Sequence, residues 1–92
     1  MEQNEKIMYD ILNSPLKKII LEQLMISPKT ATHIKKKYEQ RSLSRPSISR
    51  ALGELKKIGL IKCINQWHHR SRFYSLTDDG KKILEKIKEI ER

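Results

Sequence analysis

The sequence predicts a mainly α fold with a small β-hairpin, an α+β chain forming a single domain over residues 1–92. Three observations predict it. Apolar residues recur at helical spacing in five segments, most of them opened by a hydroxyl-bearing residue suited to a helix start. Two short runs of strand composition, Leu60–Ile64 and Arg72–Leu76, flank one polar loop and read as a hairpin. The 92 residues include only three glycines and three prolines, so there is no linker-like stretch at which to divide the chain. An interior this small cannot grow a large core and gains from a partner subunit.

In order, residues 3–12 place Ile7, Met8, Ile11 and Leu12 on one side of a short amphipathic helix. Asn13-Ser14-Pro15 interrupts it, with Ser14 as a cap and Pro15 in the first turn of a second helix. That helix carries Leu16, Ile19, Ile20 and Leu24 and stops near Ile26, because the residue before Pro28 is pushed out of helical geometry. Thr30 caps a third helix with Ile34 and Tyr38 one turn apart on its inner side. Its outer side carries Thr32 and the run Lys35-Lys36-Lys37. After a polar turn from Glu39 to Leu43, Ser44 and Pro46 open a fourth helix, and Gly59 closes it as a left-handed cap. Ile48, Leu52, Leu55 and Ile58 form its apolar face. The opposite face bears Pro46, Ser49, Arg50, Gly53 and Lys57. The hairpin follows, with Trp67, His68, His69 and Arg70 in its loop and Arg72 just beyond. Thr77-Asp78-Asp79-Gly80 then starts a last helix, with two carboxylates near the positive end of its dipole. Ile83, Leu84, Ile87 and Ile90 form its stripe.

Charge and composition narrow the function classes. Lys and Arg number 20 against 11 Asp and Glu, a formal charge of +9, and the pI is about 9.9. This balance fits nucleic acid, an anionic membrane surface or a ribosomal partner. The chain has no apolar run of membrane-spanning length, and its opening Met-Glu-Gln-Asn-Glu does not read as a signal peptide. With one cysteine it has no intrachain disulfide and fits a reducing, cytoplasmic setting. Catalysis is not expected, since no carboxylate pair, nucleophile–base set or glycine-rich phosphate loop is present. No cofactor is implied. Cys63, His33, His68 and His69 do not make a tetrahedral metal set, because adjacent histidines diverge and no second cysteine completes it. Cys63 reads as a small strand hydrophobe.

The fourth helix, with its oily back and short cationic, hydroxylated front, suits a DNA major groove; a solvated face on an ordinary core helix accounts for it equally. The pieces Leu43-Ser44-Arg45-Pro46-Ser47-Ile48-Ser49-Arg50-Ala51-Leu52, Leu55-Lys56-Lys57-Ile58-Gly59-Leu60-Ile61 and Tyr74-Ser75-Leu76-Thr77-Asp78-Asp79-Gly80 add to that reading through their order and spacing. Together they resemble the winged helix-turn-helix of prokaryotic transcriptional regulators, especially the MarR-like and ArsR-like groups and their small archaeal relatives. The turn before Ser44 is longer than that pattern, Lys35 stands where a small residue is usual, and Gly53 lies in mid-helix. The paired-cysteine metal-sensor motif of the ArsR-like group is absent.

The resemblance implies a winged helix-turn-helix with added N- and C-terminal helices that binds double-stranded DNA. Base contacts would fall to Arg45, Pro46, Ser47, Ser49 and Arg50, with Arg50 furthest from the apolar face. Thr32, Lys35, Lys36, Lys37, Ser44 and Lys57 would hold the backbone. In the wing, Trp67, His68, His69, Arg70 and Arg72 would meet the minor groove or its phosphates, although Trp67 suits packing at the base of the wing as well. Residues 1–13 and 78–92 would form a homodimer seam through Ile7, Met8, Ile11, Leu12, Ile83, Leu84, Ile87 and Ile90; packing within one subunit is the alternative. A non-specific chromatin-type or RNA-binding protein of the same fold, and a protein–protein module, remain open. No separate ligand domain points to an effector.

Overall fold

A computed structural model describes the backbone of residues 2–38, 45–67 and 71–91, and the side chains of 5–36, 47–67 and 71–91. The elements run α1 (Glu2–Leu12), α2 (Pro15–Ile26), β1 (Lys29–Thr30), α3 (Ala31–Tyr38), α4 (Arg45–Lys57), β2 (Ile61–Cys63), β3 (Phe73–Leu76) and α5 (Asp78–Ile90). The expected caps are in place wherever they are described. The Ser14 hydroxyl accepts from the Lys17 amide at 3.3 Å, Thr30 from the His33 amide at 3.1 Å, and Thr77 from the Gly80 amide at 3.1 Å. Each removes one orphan donor of a first helical turn. Ser44 and the turn before it lie outside the described residues.

At the far end of α4, Gly59 adopts φ 82°. Its amide returns to the Lys56 carbonyl at 3.1 Å, and the Leu60 amide to the Leu55 carbonyl at 3.0 Å. This is the paired closure that ends a helix through a left-handed residue. Ile58 precedes that reversal, beyond the last helical residue, and is 40% exposed. It therefore does not extend the buried face of Ile48, Leu52 and Leu55 as its spacing predicts; Ala51 is buried with them instead.

The sheet has three strands in the order β1-β3-β2, both pairings antiparallel. Ile61 pairs with Leu76 and Cys63 with Tyr74, while Lys29 pairs with Tyr74 and Thr30 with Phe73. β1 is too short to leave a period in the sequence and exists because β3 offers it a ladder. Lys29 is buried. Its ammonium donates to the Gln23 carbonyl at 2.8 Å and to the Ser27 carbonyl and hydroxyl at 3.2 and 3.0 Å, which places a cation at the negative end of α2.

α2 lies at the centre, in contact with α1, α4, α5 and β3. For that reason Leu21, outside the stripe read from the sequence, is fully buried alongside Ile20. The expected dimer seam needs correction. Ile11, Ile83, Leu84 and Ile87 are buried within the single chain, because α1 and α5 pack on α2 and on each other. Ile7, Met8 and Leu12 are partly buried against the same core, and Ile90 is 60% exposed.

Gly80 explains how α5 reaches that core. A Cβ there would overlap the Leu60 carbonyl oxygen. A Cβ at Gly53, by contrast, would have nothing within 4 Å. Gly80→Ala is expected to destabilise the fold by about 1–3 kcal/mol through overpacking, whereas Gly53→Ala should stabilise it by about 1 kcal/mol through helix propensity. Denaturant midpoints of the two variants check this; equal shifts would contradict it.

Candidate nucleic-acid interface

α4 divides cleanly. Ile48, Ala51, Leu52 and Leu55 are buried, while Ser47, Ser49, Arg50, Gly53 and Lys57 are exposed. At 100° per residue, Arg50, Gly53 and Lys57 project away from the core and Ser47 and Ser49 flank them. Arg50 and Ser47 line a shallow depression shared with Ser14 and Leu16 at the start of α2. Arg45 and Pro46 belong to the first turn of α4, but their side chains lie outside the described residues, as does that of Lys37.

A buried cation fixes α4 against its neighbours. The Lys17 ammonium pairs with Glu54 of α4 at 2.6 Å and with Asp10 of α1 at 2.7 Å. Its side chain is 11% exposed, whereas the two acids are about half exposed, Asp10 at 55% and Glu54 at 49%. Burial disfavours the charge on Lys17, but hydrogen bonds to Asp10 and Glu54 outweigh it and hold its pKa above the ordinary value. Lys18, also on α2, pairs with Glu91, just past α5.

α3 packs on α4 and on β1. Thr32, His33 and Lys36 are exposed, Lys35 is half-buried and Ile34 is fully buried. Successive residues turn by 100°, so three consecutive lysines cannot share one face. Of the strongly positive outer side expected of that run, the described residues contribute Lys36, exposed, and Lys35, half-buried.

The wing is closed by a residue to which the sequence assigned no role. Beyond the last backbone rung, where the Ile64 amide meets the Phe73 carbonyl at 3.0 Å, Asn65 continues the ladder with its side chain. Its Oδ1 accepts from the Phe73 amide at 2.6 Å and its Nδ2 donates to the Ser71 carbonyl at 2.7 Å. Asparagine leaving a strand is a known local hydrogen-bonder, and that was the signal available. Trp67 is 77% exposed, which rules out packing at the base of the wing. Arg72 is exposed; His68, His69 and Arg70 lie outside the described residues. Cys63 is buried, in keeping with a strand hydrophobe. Among the described residues no group of three or more His, Cys, Asp or Glu side chains is placed to hold a metal ion.

Neither a protein-family model nor a curated protein sequence matches the chain. Solved structures do. A MarR family transcription regulator shares 33% identity over 84% of this chain and 50% of its own, with a TM-score of 0.71. A PadR family transcription regulator from hypervirulent Clostridium difficile R20291 shares 27% identity over 82% of this chain and 84% of its own, with a TM-score of 0.69. The Bacillus subtilis PadR bound to operator DNA shares 23% identity over 79% and 46%, with a TM-score of 0.68. The chain thus spans half the length of the first of these regulators. It has the winged-helix fold of these MarR- and PadR-family transcription regulators, mostly helical with a small three-stranded antiparallel sheet.

Two outcomes follow from the contacts. A lysine whose folded pKa is raised contributes stability below its unfolded pKa and loses it as pH climbs through the folded value. Lys17→Met should therefore cost about 1 kcal/mol at neutral pH, and the gap from wild type should narrow above 10.5, the ordinary lysine value; paired denaturation curves on either side of that pH measure it. Asn65→Ala should accelerate amide hydrogen exchange at Phe73 and lower stability by about 1 kcal/mol, with the amides of α2 little changed.

Proposed function

We propose that the chain is a sequence-specific, double-stranded DNA-binding transcriptional regulator, acting without catalysis, as a single domain over residues 1–92 and in the cytoplasm. The observation that carries the reading is α4: its back is sealed in the core and its front offers Ser47, Ser49, Arg50 and Lys57 to solvent on a chain of charge +9. The regulator neighbours support it, one of them a PadR bound to operator DNA. No helix among the described residues is long and apolar enough to cross a membrane; the basic charge is read as a match for nucleic acid.

In this reading α4 enters the major groove. Arg50 reads a base edge, most naturally the paired acceptors of guanine, with Arg45, Pro46, Ser47 and Ser49 beside it. Lys57, Lys36, Lys35, Lys37, Thr32 and Ser44 hold phosphates and set register, and the wing, with Arg70, Arg72, His68 and His69, lies on the adjacent minor groove or backbone. Two copies join through what α1 and α5 leave uncovered, Ile90 with the partly buried Ile7, Met8 and Leu12, and read half-sites one helical turn apart or a multiple of it.

Selection of binding sites from random duplex DNA tests the whole reading; a selected pool no tighter than random duplex at fixed salt would favour non-specific binding instead. On a selected site, Arg50→Ala should cost about 1–3 kcal/mol and relax specificity at one position. Lys36→Ala should weaken all sequences alike and lower the salt slope by about one.

A further inference from the structure

We infer that Trp67 is an aromatic wedge that inserts between base pairs of duplex DNA from the minor groove, and so selects an easily unstacked step at a fixed distance from the bases read by α4. The inference rests on the DNA-binding reading above and adds a specificity-determining residue to it.

Trp67 is the only tryptophan in the chain. Tryptophan is highly buried on average, yet this one is 77% exposed, and the two hairpin residues Ile64 and Phe73 are 44% and 40% exposed. An exposed indole on a slack loop would signify little. Here it stands two residues beyond Asn65, whose side chain bonds the opposite strand at 2.6 and 2.7 Å. The ring thus stands two residues past a point where the two strands are bonded across the hairpin.

Charge identifies the partner. Residues 55–77 contain Lys56, Lys57, Lys62, Arg70 and Arg72 and no Asp or Glu. A flat aromatic face in a carboxylate-free, cationic stretch suits a polyanion that carries stacking surfaces, which is nucleic acid. An anionic bilayer also attracts cations and indoles, but it is favoured by a broad amphipathic face, whereas Lys62, Trp67 and Arg72 lie along one short hairpin arm, β2 to β3, and Lys56 and Lys57 at the end of α4. The arm is joined to α4 through Gly59 and Leu60, and α4 packs on β2. A duplex held on the outer face of α4 therefore brings its neighbouring groove to the arm. Apolar wedges enter minor grooves by partly unstacking one step, and TA and CA/TG steps yield most easily.

The test uses the full chain and duplexes recovered by site selection, in versions carrying TA or AA at each step of the flanking minor groove. DNA affinity is followed by anisotropy of a labelled strand at fixed salt, and Trp67 emission is read in parallel. The inference expects quenching of Trp67 on binding and a preference for TA at one position. It expects W67A to lose about tenfold in affinity for the TA duplex and to lose the preference, with W67F retaining most of both. Tight duplex binding with unchanged emission, and a W67A variant that binds TA and AA duplexes as wild type does, would overturn the wedge while leaving the DNA-binding reading intact. Absence of binding to any duplex would overturn that reading and the wedge with it. Quenching by phosphatidylglycerol vesicles but not by duplex would assign the arm to a membrane surface and overturn the inference.

Discussion

The backbone carbonyl of Leu60 is the point on which the rest of the fold turns. It accepts the Thr77 amide at 3.0 Å and occupies the space that a side chain at position 80 would need. One residue earlier, the Gly59 carbonyl accepts the Thr77 hydroxyl at 2.6 Å, while the same hydroxyl caps α5. The end of α4, the start of β2, the end of β3 and the start of α5 thus meet within a few bonds. The wing register follows directly, because Ile61 and Leu76 pair immediately beside this corner. So does the depth at which α5 lies, since only a glycine in its first turn lets the helix approach the Leu60 carbonyl so closely.

The flank of α4 is held by a different kind of force. Lys17 brings a charge into a half-dry position, which is unfavourable by itself, and is tolerated because carboxylates from two other helices meet it. Glu54 and Asp10 stay half in water, so the triad contributes less to stability than to orientation. It ties the flank of α4 to α1 and α2, beside the exposed Ser47 and Arg50.

Much of this architecture is legible in the sequence because it is local. Ser14-Pro15, Thr30, Thr77-Asp78-Asp79 and Gly59 act through hydrogen bonds three or four residues away, and each reads the same in the sequence as in the structure. The buried half of α4 is equally clear from its spacing, apart from Ile58, where the periodic argument runs one residue past the helix. What escapes depends on partners distant in sequence. β1 exists only because β3 pairs with it, Gly80 matters because of a carbonyl twenty residues earlier, and Lys17 is buried because α1 and α4 bring acids to it. The terminal stripes mislead for the same reason: an apolar face does not say whether its cover comes from the same chain or another, and for Ile11, Ile83, Leu84 and Ile87 the cover is α2 and its neighbours. At the candidate interface, the outer face of α4 is visible in the sequence, whereas Asn65 shows there only as a residue type prone to local hydrogen bonding, not as the replacement of a backbone rung across the hairpin.

The two residues of β1 carry a mechanical consequence. Thr30 ends that strand opposite Phe73 of the wing and at the same time caps α3, while Lys29 beside it closes α2. The wing is therefore not an independent flap hung on a hairpin. It is spliced into the helix pair, so tilting it would break the α3 cap and pull on the end of α2. Such splicing makes the hairpin and the helix pair one mechanical unit, like the two jaws of a fixed caliper: in the proposed DNA-binding reading, the span between α4 and the hairpin is set by the fold.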